Sequence, residues 1–307
     1  MIKQISIEEE KKYEIKNVLD KKERYLKTNP MERYYFDDIY RKKVQYIENE
    51  LKGIHGLILD LGGNTAGEAI ILSQIGFHFI VGDINEYALD ISQERGNKFN
   101  LQLPQYVAFD AHVIPFEDNT FDAVTVIEAL HHFIDYDKVL KEIYRVLRPG
   151  GKFISLEPYA LNPIRRLSEA RDYFKGTVEK SFTKKKMKRL LNRNYFINEK
   201  IITISMGKSS WKMEEIPLYR KPIAYLHSFL AKKIPILFGT LLITAFKDQK
   251  TENSKLDELE FTLICPITKT KLHLDEEVYL LVNKENSYGY KLFNKIPVLI
   301  ANEAQKL

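Results

Sequence analysis

Four acidic residues recur at the same kind of place in the middle of the chain. Asp60 in LILDL, Asp83 in IVGD, Asp110 in VAFD and Glu128 in VTVIE each close or directly follow a short run of β-forming residues. In an open parallel sheet, the carboxyl ends of the strands border the ligand crevice. Asp83, one strand-helix unit after Asp60, is therefore placed to accept both hydroxyls of an adenosine ribose, and Asp110 to meet an adenine amino group. A single such acid could be a helix cap. Four in register on successive strands point to one shared crevice.

Between the first run and the next helical stretch lies ILDLGGNTAGEA. Glycine lets the backbone approach a ligand closely, and a helix start offers free N–H groups to a carboxylate or phosphate. The spacing is not G-x-G-x-x-G: Gly62, Gly63 and Gly67 surround Asn64 and Ala66, a poor match to a dinucleotide pyrophosphate. His131 and His132 stand in EALHHF just past the fourth run. Imidazoles titrate near neutral pH, so both are candidates for a general base at the crevice edge. The competing reading has one ring packed on the sheet or cofactor and the other solvated.

These groups need a scaffold, and the hydrophobic periodicity supplies one. Residues 1–52 read as a helical segment, with Ile39, Val44 and Ile47 recurring on one face. From about Leu57 the runs LILDL, HFIVGD, QYVAFD, FDAVTVIE and KFISLEP alternate with helical stretches, the last of which ends at Pro149, Gly150 and Gly151. That rhythm predicts βαβ units and a doubly wound α/β fold with a mostly parallel sheet. Two further β-like runs, YFINEKIITI and GTLLITAFK, flank an insert at about 205–238 that holds Trp211, Tyr219 and Tyr225 and is expected to be an acceptor lid or a packing helix. A polar linker (249–258) leads to a last block (259–307) with short alternating runs, expected to be a small antiparallel β domain.

Composition narrows the chemistry. The 307 residues are 44% hydrophobic, enough for a sizeable core, and the 47 Lys and Arg against 42 Asp and Glu leave a net charge of +5. The excess is local: residues 161–193 hold 11 basic residues against three acids. Such a stretch could attract RNA, a nucleotide-linked sugar or anionic lipid, or be the solvated face of an amphipathic helix with Met187, Leu190 and Leu191 inward. The one cysteine, Cys265, excludes a disulfide framework and a multi-cysteine zinc cage. The charged N-terminus lacks a signal-peptide core, and the longest apolar run, Ile234–Phe246, is too short to cross a bilayer. A soluble, cytoplasmic protein is expected.

As a set, LDLGGNTAGEA, VGDIN, FDAHVIPFEDNTFDAVTVIEALHHF and EIYRVLRPGGKFISLEP resemble the class I S-adenosylmethionine (SAM)-dependent methyltransferases, in particular the group that includes ubiquinone and menaquinone biosynthesis enzymes. The resemblance covers about residues 55–160 of the methyltransferase-like region (53–248). It implies a seven-stranded Rossmann-like sheet. By it, Asp60, Gly62, Gly63, Asn64 and the turn to Gly67 hold the methionine part of SAM, Asp83 with Ile84 the ribose, and Asp110 with the Ala111 backbone the adenine, with Glu128 at the crevice. The family usually has glycine where Asn64 and Ala66 stand. No metal is implied.

Methyl transfer needs no nucleophilic side chain, because alignment and water exclusion supply much of the catalysis. Cys265 lies far from the crevice in sequence, and the N-P-P-[FY] signature of amino-group methylation on adenine or glutamine is absent after the fourth run. Oxygen, carbon or a small-molecule nitrogen is the expected acceptor atom, on a small, lipid-linked or glycan-linked molecule. An RNA acceptor and a non-catalytic SAM-binding scaffold are the alternatives.

The last block resembles the small zinc-ribbon-derived proteins that activate tRNA, ribosomal and release-factor methyltransferases. The matching residues are Ile264-Cys265-Pro266, Lys271-Leu272, Tyr290, Ile296-Pro297-Val298-Leu299 and Glu303-Ala304. Thr268 stands where zinc-binding members have a second cysteine, so a metal-free activator-like partner supplied in cis is implied.

Overall fold

The computed structural model describes residues 7–162, 181–204, 239–249, 261–275, 280–283 and 288–306, with a few isolated positions between. Most of the linker and most of the insert lie outside the described residues.

Four helices open the chain: α1 (Ile7–Leu19), α2 (Lys22–Lys27), α3 (Pro30–Phe36) and α4 (Asp38–Leu51). Their boundaries are set locally. Asn29 accepts from the Met31 N–H ahead of a first-turn Pro30, and the Asp37 carboxylate accepts from the Ile39 and Tyr40 N–H groups. The buried face of α4 is Tyr40, Val44, Ile47 and Leu51. Tyr40 replaces the expected Ile39 because spacings of four, three and four from it keep the stripe straight along the helix.

The central sheet follows. Strands β1 (Leu57–Leu61), β2 (His78–Asp83), β3 (Gln105–Phe109), β4 (Phe121–Ile127) and β5 (Leu147–Pro158) alternate with α5 (Gly67–Gln74), α6 (Glu86–Lys98) and α7 (Tyr136–Val146). Helix α8 (Lys184–Arg193) precedes β6 (Ile197–Ile204) and β7 (Thr240–Phe246). The order is β6-β7-β5-β4-β1-β2-β3, with β7 antiparallel to both neighbours and the other pairings parallel. Central β1 is buried along its whole length, as a near-continuous apolar run covered on both faces should be. Strand order reverses between β1 and β4, which opens the crevice above their carboxyl ends.

The end of the last helical stretch differs from expectation. Helix α7 ends at Val146, and Pro149-Gly150-Gly151 lies inside β5 rather than terminating the helix. Phe121 already pairs with Leu147, then the register jumps to Ala123 opposite Lys152, with Gly150 at φ 77° carrying the excess residues. The Pro-Gly-Gly run is a strand bulge.

The strands of the last block pair mostly antiparallel, as expected, and one of them also joins the central sheet. Strands β8 (His273–Asp275), β9 (Leu280–Asn283) and β10 (Tyr288–Phe293) pair antiparallel, with β12 (Gln305–Lys306) against β10. Strand β11 (Ile296–Leu299), however, lies parallel to β3, with Val298 opposite Ala108 and Leu299 opposite Phe109. The reason is the edge itself. Tyr106 through Phe109 are all buried, and an apolar edge strand with unpaired backbone groups requires a cover. The Ile264 N–H adds a bond to the Pro115 carbonyl at 3.0 Å.

Cys265 is buried with its Sγ 3.2 Å from the Tyr290 hydroxyl, and the Asn283 amide bonds the Thr268 and Thr270 hydroxyls. Hydrogen bonds tie the loop together there. The basic helix α8 buries Met187, Leu190 and Leu191, pairs Lys188 with Glu199 and Arg193 with Asp137, and lays Lys186 over the Tyr136 and Phe182 rings. Most of 163–180, the other half of the basic stretch, lies outside the described residues.

Candidate active site

A cavity of about 1250 Å³ sits over the carboxyl ends of β1, β2, β3 and β4, and α1 to α4 form its opposite wall. All four acids of the ladder line it: Asp60, Asp83, Asp110 and Glu128. So do Gly62, Gly63, Asn64, Gly67, Ile84, Ala111 and His132. Pockets for one ligand usually measure roughly 300–1,000 Å³, so this one has room for two molecules side by side.

The glycine turn is shaped by close approach. A Cβ on Gly63 would lie 2.4 Å from Val81 Cγ1, and one on Gly62, at φ 74°, would lie 2.7 Å from Ala129 Cβ. Asn64 and Ala66 also adopt the left-handed region, at φ 48° and 49°. The chain thus keeps the backbone path that glycine would give, with side chains that tolerate it less well.

Each acid has its own electrostatic setting. Asp60 is buried, and its Oδ1 accepts from Thr125 Oγ1 at 2.7 Å. Burial pushes its pKa up to about 7, the Thr125 bond opposing. Asp83 accepts from the Asn85 N–H at 2.9 Å through Oδ1 and from the Asn64 N–H at 2.8 Å through Oδ2. Burial raises it, and those backbone donors hold the rise back. The second strand end and the glycine turn are therefore clamped to each other through one carboxylate.

Asp110 accepts from His112 twice, from its N–H at 2.9 Å and from Nδ1 at 2.6 Å, both on Oδ1. Burial works against its ionised form, but the His112 bonds win and hold Asp110 below the usual carboxylate range. The Asp135 N–H donates to His112 Nε2 at 3.3 Å, which places the ring proton on Nδ1. The Glu128 carboxylate accepts from Lys43 Nζ at 2.7 Å, and the same ammonium lies 2.7 Å from Glu68. Burial alone would lower Lys43, yet the two carboxylates hold it above its ordinary value.

The two histidines part company. His132 lines the cavity, whereas His131 is buried with Nδ1 2.8 Å from Glu157 Oε2 and is not among the lining residues. Their ring centroids lie 4.1 Å apart with the planes inclined by 37°. Glu157 also accepts from the Leu130 N–H at 2.9 Å and so fixes the short turn carrying both rings. His131 therefore cannot reach a substrate in the cavity from this position. Trp211 and Tyr219 of the expected lid lie outside the described residues.

Sequence reasoning missed the N-terminal wall. Tyr40, Arg33 and Arg95 line the cavity, and Lys43 spans its rim between Glu68 and Glu128. His112 was detectable, as the residue two past Asp110 in FDAH. Among the described residues no cluster of three His, Cys, Asp or Glu is arranged to hold a metal ion.

The sheet order, the switch-point cavity and the glycine turn together make a Rossmann-like α/β fold. Residues 59–155 match the methyltransferase domain family Methyltransf_11. The chain is 35% identical over 127 residues to the ubiquinone/menaquinone biosynthesis C-methyltransferase UbiE of Pseudoalteromonas translucida, a match that takes in 40% of this chain and 49% of that protein. It thus spans about half the length of the curated relatives it matches. Among solved structures, a SAM-dependent methyltransferase of Thermotoga maritima superposes with a TM-score of 0.54 at 17% identity, over 77% of this chain and 99% of that one. The complex between the Haloferax volcanii Trm112 methyltransferase activator and a methyltransferase gives a TM-score of 0.50 at 16% identity, over 65% of this chain and 85% of its own.

Proposed function

We propose that the protein transfers a methyl group from SAM to a small, lipid-linked or glycan-linked acceptor held beside the cofactor in the same cavity. The observation that carries this reading is the convergence of the glycine turn and all four ladder acids on one cavity large enough for two ligands. That the UbiE relative is a C-methyltransferase supports carbon as one acceptor atom.

In this reading Asp83 takes the ribose hydroxyls, Asp110 the adenine amino group through its Oδ2, and the 62–67 turn the methionine chain. The cofactor supplies an electrophilic methyl: the acceptor's electron pair forms the new bond, and the carbon–sulfur pair stays on sulfur. His132 is the side chain available to take a proton where the acceptor must lose one. The wall of α1 to α4 excludes water and holds the acceptor in line with the carbon–sulfur bond. The last block, laid along β3, serves as an activator in cis.

Calorimetric titration with SAM and S-adenosylhomocysteine tests the reading. Asp83→Ala should weaken both by tenfold or more, about 1.4 kcal/mol. An intact chain that binds neither, and still binds neither with glycine at positions 64 and 66, overturns it. Transfer of labelled methyl into a solvent-extractable pool rather than RNA separates the acceptor classes.

A further inference from the structure

Arg95 of α6 is a cavity-lining cation that the roles above leave unused. Its side chain reaches the start of α5: Nη2 donates to the Thr65 carbonyl at 2.6 Å and would lie 4.0 Å from a Cβ on Gly67. It is 6% exposed, and its buried Nε has no hydrogen-bond partner. Among the described residues no carboxylate stands within ion-pair distance of it. Glu68, one helical residue past the turn, is already paired with Lys43 at 2.7 Å. A buried cation without a counter-charge is costly, and natural sequences keep one where a ligand supplies the missing charge.

We propose that Arg95 and the first turn of α5 form a carboxylate-binding subsite that anchors the amino-acid end of the cofactor, an inference that rests on the SAM reading above. The guanidinium fork suits a carboxylate, with Nε offered to it while Nη2 stays on Thr65. The start of α5 adds its positive dipole end. The Thr65 bond also makes Arg95 a strut for the turn, so one side chain holds the loop and reads the ligand. A single guanidinium beside a carbonyl acceptor fits one singly charged carboxylate better than a phosphate.

The test compares two ligands that share the nucleoside and differ in the amino-acid arm: S-adenosylhomocysteine and 5′-methylthioadenosine. Calorimetry on the full chain should show Arg95→Met weakening S-adenosylhomocysteine by about tenfold to a hundredfold, with methylthioadenosine within about twofold, and Arg95→Lys falling between. Retained methylthioadenosine binding shows that the variant is folded. An unchanged preference for S-adenosylhomocysteine in Arg95→Met overturns the proposal. On the unaltered chain, SAM should bind at least about tenfold more tightly than its decarboxylated form; equal affinities overturn the proposal without any variant. Failure of the unaltered chain to bind either nucleoside defeats the SAM reading itself, whereas methylthioadenosine bound as tightly as S-adenosylhomocysteine defeats only the role of Arg95.

Discussion

Lys11 Nζ lies 2.6 Å from Glu303 Oε1, which ties the first helix of the chain to its last few residues. The same ammonium is 2.9 Å from Glu86 on α6, and Lys291 holds the other Glu303 oxygen at 2.9 Å. The wall of the cavity and the C-terminal block thus share one ion-pair cluster. Lys11→Met leaves the buried Glu86 carboxylate without its cation, while Glu303 keeps Lys291. A loss of about 1–3 kcal/mol in urea unfolding is expected, together with weaker binding of S-adenosylhomocysteine because α1 contributes to the cavity wall.

Deleting residues 259–307 uncovers the β3 edge as well as that cluster. Val107, Ala108 and Phe109 are buried in the intact chain, and an uncovered apolar edge is a template for intermolecular pairing. The truncated chain should associate at concentrations where the intact chain stays dispersed, read by light scattering. A monodisperse truncated chain with the original melting temperature would contradict the idea that the block acts as a stabiliser in cis.

The glycine turn gives a paired prediction. Ala66 pays for φ 49° with a Cβ that the left-handed region tolerates poorly. Ala66→Gly should therefore be neutral or stabilising by up to about 1 kcal/mol, after the entropy of the unfolded glycine is subtracted. Gly63→Ala should do the reverse, because its Cβ would press within 2.8 Å of Asp60 Oδ2 as well as on Val81. The melting temperature should fall for Gly63→Ala and stay level or rise for Ala66→Gly.

Asp60 predicts a pH dependence with a definite sign. Its carboxyl titrates near 3.9 in an unfolded chain and at about 7 in the folded one, where burial disfavours the charge. The folded state therefore binds the extra proton between those values, and this group's contribution is complete below about pH 4 and lost as pH rises through about 7. Other buried acids overlap this window, so the difference between the chain and Asp60→Asn is the quantity to measure. Stability of Asp60→Asn should fall less steeply between pH 4 and 7 in denaturant titrations at fixed temperature.

The ladder acids and the turn were legible because strands buried on both faces read as continuous apolar runs, and a residue that closes such a run has its position set by the strand. The strands and helices of residues 57–127 needed no tertiary knowledge. Tyr40, Lys43 and Arg95 were not legible, because each looks like an ordinary helix position until α4 and α6 are packed around α5. Lys43 reads as one of several solvated lysines in YRKKVQ. IPVL reads as a strand, but its parallel partner is QYVAF, far earlier in the chain, and only the exposed edge of β3 dictates that pairing. Pro-Gly-Gly misled for a local reason: the same residues that stop a helix also make a bulge, and the pairing of Leu147 with Phe121 decides between them.

The Glu157–His131 contact separates a structural histidine from a chemical one. Glu157 is fully buried and accepts from both the Leu130 N–H and the His131 ring. Glu157→Ala strands both donors in a site without exchange to solvent, which should cost about 2–4 kcal/mol in urea unfolding, one to two buried unsatisfied groups. Glu157→Gln keeps a carbonyl oxygen for Leu130 and an amide that can meet His131 in its other tautomer, so its cost should stay near 1 kcal/mol. His132, more exposed and facing the cavity, should tolerate His132→Ala with less than about 1 kcal/mol lost. If His132 serves as base, that variant lowers the rate of methyl transfer while S-adenosylhomocysteine affinity stays unchanged, whereas His131→Ala lowers stability first. Equal stability losses at the two histidines would mean that the pair acts as one structural unit, and the assignment of the base to His132 would fall.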